Sequence, residues 1–349
     1  MFYSNWQFAT QVGRTLAVNS FVKPLVLGFS MATMALSTAV HAEDYVLNTA
    51  STGGTYHPVG TAIATLSKVK LLPKEKFSLT AVNSAGSGAN VQALAANNAQ
   101  FAILQGLYGS YAATGTGPVT EVQDNLRSIT MLWQNVEQFV IPSGSVSSGT
   151  VTDLAALAGA SMVMGKENSG TLGSNSVLLG GLIGKDLGEV YNLVHAGYGP
   201  SADALANGQA LGGGFPSGPP TGALTKLFAS NEGKFSLLSV SEDELARMDG
   251  GRNLWTPYTI AAGTYPGQTT DVNTIAQPNF LAVNADVDEN HVYLLTKTIF
   301  ENLPFLQAIH PATKAMDVNK ALAGLPVPLH AGAARYFEEV GISIPEGLK

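Results

Sequence analysis

Apolar and polar positions along this chain switch repeatedly between two periods, and the switches mark its elements. Tyr45-Val46-Leu47-Asn48 is a short strand that runs into Ser51-Thr52-Gly53-Gly54-Thr55-Tyr56-His57-Pro58. Val59, Ala62, Ile63, Leu66 and Val69 then recur at helical spacing, so this turn opens an amphipathic helix. The pattern repeats: Phe77 to Val82 alternates as a strand, Asn83 to Gly88 is a second turn of small residues, and Ala89 to Ala96 forms a helix stopped by Asn97-Asn98. Phe101 to Gln105 is a buried-type strand, and further strand lies between Met131 and Ile141. A third unit starts at Ser161 to Met164, turns through Gly165 to Thr171, and continues in a helix carrying Leu172, Leu179, Leu182 and Ile183. A long loop, Ala210 to Gly222, follows. Glu242-Asp243-Glu244 begins a helix, where negative charge suits the dipole. Asp286, with Glu289 three residues on, resembles a capped start before the stripe Val292, Leu295, Ile299 and Leu306. Strands alternating with helices throughout predict an α/β architecture, and the length predicts two lobes with a cleft between them.

Upstream of these units lies an apolar run, Pro24 to Val40, preceded by Arg14 and Lys23 and ending in Val40-His41-Ala42. Small residues at Val40 and Ala42, then the polar switch at Glu43-Asp44, predict a secretory signal peptide over residues 1–42, cleaved after Ala42. A transmembrane anchor is the competing assignment, but the core is short and diluted by Ser30, Thr33, Ser37 and Thr38. The mature protein is expected in the periplasm.

Composition narrows the function. Charged residues make up only 12% of the 349, against about 25% in globular proteins. The net charge is −7, and two of the 18 basic residues precede Glu43 while no acidic one does. A chain this acidic lacks the clustered Lys and Arg that nucleic acid requires. With no cysteine, disulfides, thiolate catalysis and cysteine zinc sites are excluded. None of the six histidines lies in H-E-x-x-H, and no G-x-S-x-G elbow occurs. A serine paired with His57 or His195 in a periplasmic hydrolase is the weakest of the alternatives. No catalytic residue, no metal ligand and no cofactor is therefore assigned.

The three glycine- and serine-rich turns match neither the dinucleotide fingerprint nor a P-loop. Each admits two explanations: backbone N–H groups and hydroxyls at a helix start aimed at an anion, or tight turns and helix caps, which Ser and Thr favour anyway.

In their order along the chain these segments resemble the TAXI family of solute-binding proteins, which serve TRAP-type transporters. The resemblance spans essentially the whole mature chain. It rests on Ser51 to Gly60, similar to that family's S-T-G-G-x-Y-Y-P-x-G, on Ser84 to Asn90, on the strand ending in Gln105, and on Ser169-Gly170-Thr171. Gly263-Thr264-Tyr265-Pro266-Gly267 and the C-terminal Val327 to Gly341 continue it. Departures are His57 for a second tyrosine, Gly106 after Gln105 where aspartate is common, and the Gly86-Ser87 turn where threonine is usual. The resemblance implies a type II-like, two-lobed periplasmic binding protein with a hinge, lobe one comprising residues 43–142 and 280–349 and lobe two 143–279. It implies a monomeric receptor, not an enzyme, for a small carboxylate such as an amino acid or dicarboxylate of glutamate or oxoglutarate type, and a TRAP-type permease as membrane partner. The expected ligand-binding residues are Thr52, Tyr56, Ser87, Asn90, Gln105, Ser169, Gly170 and Thr171. Arg335 and His330 in the C-terminal motif are expected to pack a helix. Two other functions share such an architecture: a binding protein for an ATP-driven importer, and a ligand-sensing subunit for a membrane histidine kinase.

Overall fold

The structure is a computed structural model, and it describes residues 42–349. The expected leader lies outside the described residues except for Ala42. Among the described residues, no helix is long and apolar enough to cross a membrane.

Two sheets organise the chain into two lobes. The first contains β1 (Glu43–Asn48), β2 (Phe77–Val82), β3 (Phe101–Gln105), β4 (Leu126–Val136), β10 (Thr256–Ile260) and β11 (Val272–Asn284). Its order is β10-β11-β3-β1-β2, with β4 pairing β11. β1 runs parallel to β2 and β3, while β11 is antiparallel to β3, β4 and β10. The second sheet has the order β7-β6-β8-β5-β9, from β5 (Phe139–Pro142), β6 (Ser161–Val163), β7 (Asn192–Leu193), β8 (Gly212–Gly214) and β9 (Phe235–Leu238). The chain thus leaves the first sheet at Glu137-Gln138 and returns between β9 and β10. The expected boundary at 142/143 falls at the end of β5, in the second sheet, and that at 279/280 falls within β11, in the first.

Parallel strands need helical crossovers, and each glycine-rich turn begins one. We label the longer helices α1 (Tyr56–Lys70), α2 (Ser87–Ala95), α3 (Gly106–Thr114), α4 (Gly170–Ile183), α5 (Tyr198–Ala206), α6 (Gly222–Ser230), α7 (Glu242–Asp249), α8 (Glu289–Glu301), α9 (Leu303–Ile309) and α10 (Ala331–Glu339). In α1 the predicted stripe buries Val59, Ala62, Ile63 and Leu66, but Val69, in the last turn, is 63% exposed. Val292, Leu295, Ile299 and Leu306 are all buried, although Leu306 belongs to a separate helix that begins after Asn302. Asp286 is not the cap of α8. Asp288 is, its carboxylate accepting from the His291 N–H at 3.0 Å. Glu242-Asp243-Glu244 does begin a helix, closed by a capping box between Ser241 and Glu244.

The first lobe's core includes Leu47, Ile63, Phe77, Leu79, Phe101, Leu281 and Phe337. The second lobe buries Val140, Phe215, Leu224 and Tyr265 on one face and Phe139, Met162, Leu178 and Leu179 on the other. At the C-terminus, His330 caps α10 by accepting from the Gly332 N–H at 3.1 Å. Arg335 lies over the Tyr293 ring, 3.8 Å from its centre, and donates to Asn290 Oδ1.

Candidate ligand-binding site

A cavity of about 40 Å³ lies where the lobes meet, lined from the first lobe by Ser51, Gly54, Thr55, Tyr56, Gly86, Ser87, Gln105 and Asn135, and from the second by Gly170, Thr171, Tyr198 and Ser217, among others. Its walls are helix starts. Tyr56, Ser87, Gly170 and Tyr198 are the first residues of α1, α2, α4 and α5, and Gln105 is the N-cap of α3. The first N–H groups of a helix have no intrahelical acceptor, and they carry its positive end. Five such ends converge on a space whose lining contains no Asp, Glu, Lys or Arg.

Local sequence explains the convergence. Gly86 holds φ +126°, a conformation side chains rarely adopt, so that α2 can start sharply after β2. Gly170 faces the opposite lobe so closely that a Cβ there would meet Gln105 Oε1 at 2.4 Å and Ser87 Oγ at 2.8 Å. Hydrogen bonds join the lobes around this point: Gln105 Nε2 donates to the Gly170 carbonyl at 3.0 Å and the Ala89 N–H to the Asn168 carbonyl at 2.9 Å. Thr55 Oγ1 donates to the Gly218 carbonyl at 2.8 Å on the far side.

Of the eight expected residues, Tyr56, Ser87, Gln105, Gly170 and Thr171 line the cavity. Thr52 is exposed on the first turn and does not line it. Asn90 is fully buried below it, its Nδ2 donating to the carbonyls of Thr49 and Ile103 and so tying α2 to β1 and β3. Ser169 is the cap of α4: its hydroxyl accepts from the Leu172 N–H at 3.0 Å and donates to the Lys166 carbonyl. Thr171 is therefore not a cap; its hydroxyl instead meets Tyr198 Oη at 2.9 Å.

The proton of each hydroxyl can be followed. Tyr198 Oη donates to the Pro216 carbonyl, so Thr171 must be the donor in its bond to Tyr198. Tyr56 Oη donates to Asn279 Oδ1. Burial raises both phenols well above their ordinary range, so they stay protonated. Ser87 Oγ accepts from the Gln105 N–H at 3.2 Å, and its own proton serves Tyr56 Oη, a hydrogen bond that lowers that phenol against burial. The site offers neutral donors in an uncharged recess, suited to an anion without an arginine clamp.

Asn135, Tyr198 and Ser217 were not expected at the site. Asn135 sits in Gln134-Asn135-Val136-Glu137-Gln138, a polar interruption of an otherwise apolar strand, and Tyr198 follows Gly197 at another helix start; both signals were legible. Two residues beyond Asn135, Glu137 is fully buried, its Oε1 accepting from Ser174 Oγ on α4 and from Trp255 Nε1. Burial raises its carboxyl to about 7, against hydrogen bonds from Ser174, Trp255 and Gln277, which lower it.

Two lobes, each with its own mixed sheet, enclose a polar recess at the strand and helix ends, and this fold recurs in solved proteins. A protein from Bordetella bronchiseptica RB50 shares the fold at 14% identity over 87% of this chain and 85% of its own, with a TM-score of 0.51. The periplasmic binding protein BugD does so at 17% identity over 85% and 93%, with a TM-score of 0.50. The chain itself belongs to the NMT1-like family, whose pattern matches residues 47–341.

Proposed function

We propose that this protein is an exported receptor of TAXI type that captures a small organic carboxylate in the periplasm and delivers it to a TRAP-type permease. The observation that carries the proposal is the meeting of five helix N-termini on one uncharged recess between two lobes. A carboxylate there gains charge-assisted hydrogen bonds worth about 1.5–3 kcal/mol each. Micromolar affinity corresponds to about 8 kcal/mol, so four or five such bonds suffice after some binding entropy is lost. Ligands of α/β lobes collect at strand ends and helix starts, where this recess lies.

The proposal includes a hinge. Each lobe carries one sheet, and Glu137-Gln138 and the segment between β9 and β10 are the crossings about which the lobes turn. The ligand is released unchanged, so no turnover is expected. Calorimetric titration of refolded, ligand-stripped protein against amino acids and dicarboxylates tests the function. Micromolar binding of at least one carboxylate, with compaction in small-angle scattering, is the expected result. Binding of uncharged solutes alone, or steady conversion of the bound solute, overturns it.

A further inference from the structure

We propose that Asn135 selects the substituent beside the ligand's carboxylate, accepting a hydrogen bond from it, so that 2-amino and 2-hydroxy acids are preferred over 2-oxo acids of equal length. The inference rests on the carboxylate reading of the same cavity and adds the identity of the neighbouring group.

The orientation of Asn135 follows from its neighbours. The Gly170 carbonyl can only accept, so Gln105 must present Nε2 to it, which fixes Oε1 as its acceptor end. Asn135 answers that oxygen with Nδ2, at 3.4 Å. Its own Oδ1 is thereby left as a buried acceptor with no protein partner, on a residue 1% exposed that lines the cavity. Gln277, opposite it on β11, is committed elsewhere: its Oε1 accepts from the Leu107 N–H at 2.8 Å and its Nε2 donates to Ser174 Oγ at 3.2 Å. A buried acceptor without a donor is costly, and buried polar groups in folded proteins are almost always paired. The donors of the recess are already matched to an anion; Asn135 Oδ1 is the complementary element, and it asks for an N–H or O–H.

Reach follows from the chain of contacts. Asn135 lines the same cavity as Gly170 and Thr171, at the start of α4, and is joined to Gly170 through Gln105. The cavity is small, about 40 Å³. A group bonded to the carbon next to the carboxylate is therefore the one that meets Asn135. A keto oxygen at that carbon sets acceptor against acceptor, and a methylene leaves Oδ1 unpaired.

The test is calorimetry on the full mature protein with two matched series: L-glutamate, L-2-hydroxyglutarate, 2-oxoglutarate and glutarate, and L-alanine, L-lactate, pyruvate and propionate. In whichever series binds, the amino or hydroxy acid should bind about ten-fold tighter or more than its oxo and unsubstituted counterparts. Asn135→Leu should level the series, and Asn135→Asp, which keeps an acceptor, should retain the preference for the amino acid. Oxo or unsubstituted acids binding equally to wild type, or an undiminished preference in folded Asn135→Leu, overturns the inference while leaving the carboxylate receptor intact. Binding by no member of either series overturns the carboxylate reading itself. Should Asn135→Leu fail to fold, the wild-type ranking alone decides.

Discussion

The side chain of Gln105 donates from Nε2 to the carbonyl of Gly170 at 3.0 Å, tying the last residue of a strand in the first lobe to the first residue of a helix in the second. Replacing Gln105 with alanine removes this tie and a wall of the cavity together. Carboxylate affinity is expected to fall about ten-fold or more, with the dissociation rate rising more than the association rate falls. Calorimetry and stopped-flow binding on Gln105→Ala check this, and unchanged affinity would remove Gln105 from the site.

Gly170 approaches Gln105 and Ser87 too closely for any side chain. In Gly170→Ala the added methyl should hold the lobes apart without disturbing either core, since the crowding atoms all lie across the cleft. The expected result is a loss of affinity of more than about ten-fold and a larger radius of gyration with ligand present, while the melting temperature changes little. A compact, tightly binding variant would refute the closure geometry.

Ser169 and Thr171 are two residues apart and should separate cleanly. Ser169→Ala removes a helix cap and is expected to cost about 1 kcal/mol of folding stability. Thr171→Ala leaves the cap in place but removes the hydroxyl that holds Tyr198, and should weaken binding by roughly ten-fold with stability nearly unchanged. Chemical denaturation and calorimetry on both variants read the two effects independently. The converse pattern would return Thr171 to a purely structural role.

Glu137 gives the protein a stability that declines with pH. Its buried carboxyl holds a proton up to about 7, whereas the unfolded chain releases it near the ordinary glutamate value, so the folded state binds more protons between these limits. Stability from this group is fully present below about pH 4.5 and is lost as pH rises through 7, by about 3 kcal/mol in all. His310 and His330, held neutral by burial, act in the opposite direction, and Glu244 titrates lower, its hydrogen bonds outweighing burial to hold it at about 2. The difference between wild type and Glu137→Gln isolates the carboxyl. Denaturant titrations at pH 5 and pH 8 should show the variant gaining on wild type at the higher pH, and parallel profiles would refute a neutral Glu137.

Export should remove the leader after Ala42, because small residues stand at Val40 and Ala42 before the polar Glu43-Asp44. Intact-mass measurement of periplasmic protein is expected to give Glu43 as the first residue. A full-length chain in the membrane fraction would contradict it.

Periodicity alone determined that the chain is α/β and that three small-residue turns precede helices. These are local matters, since the alternation of side chains and the φ freedom of glycine act within a few residues. It did not show that Leu306 starts a new helix, nor that Asp288 rather than Asp286 caps α8, because a cap depends on where the backbone bends. At the site, the turns supplied Tyr56, Ser87, Gly170 and Thr171, and the strand end supplied Gln105. Only tertiary structure separated these from Asn90, which braces the sheet below, from Ser169, which serves its own helix, and from Thr52, which faces out. Only tertiary structure could orient Asn135: its amide is set by Gln105, and Gln105 by a carbonyl 65 residues further along the chain. Which atom of an amide is left for a ligand is fixed by partners that the sequence keeps far apart and folding brings within 3–4 Å.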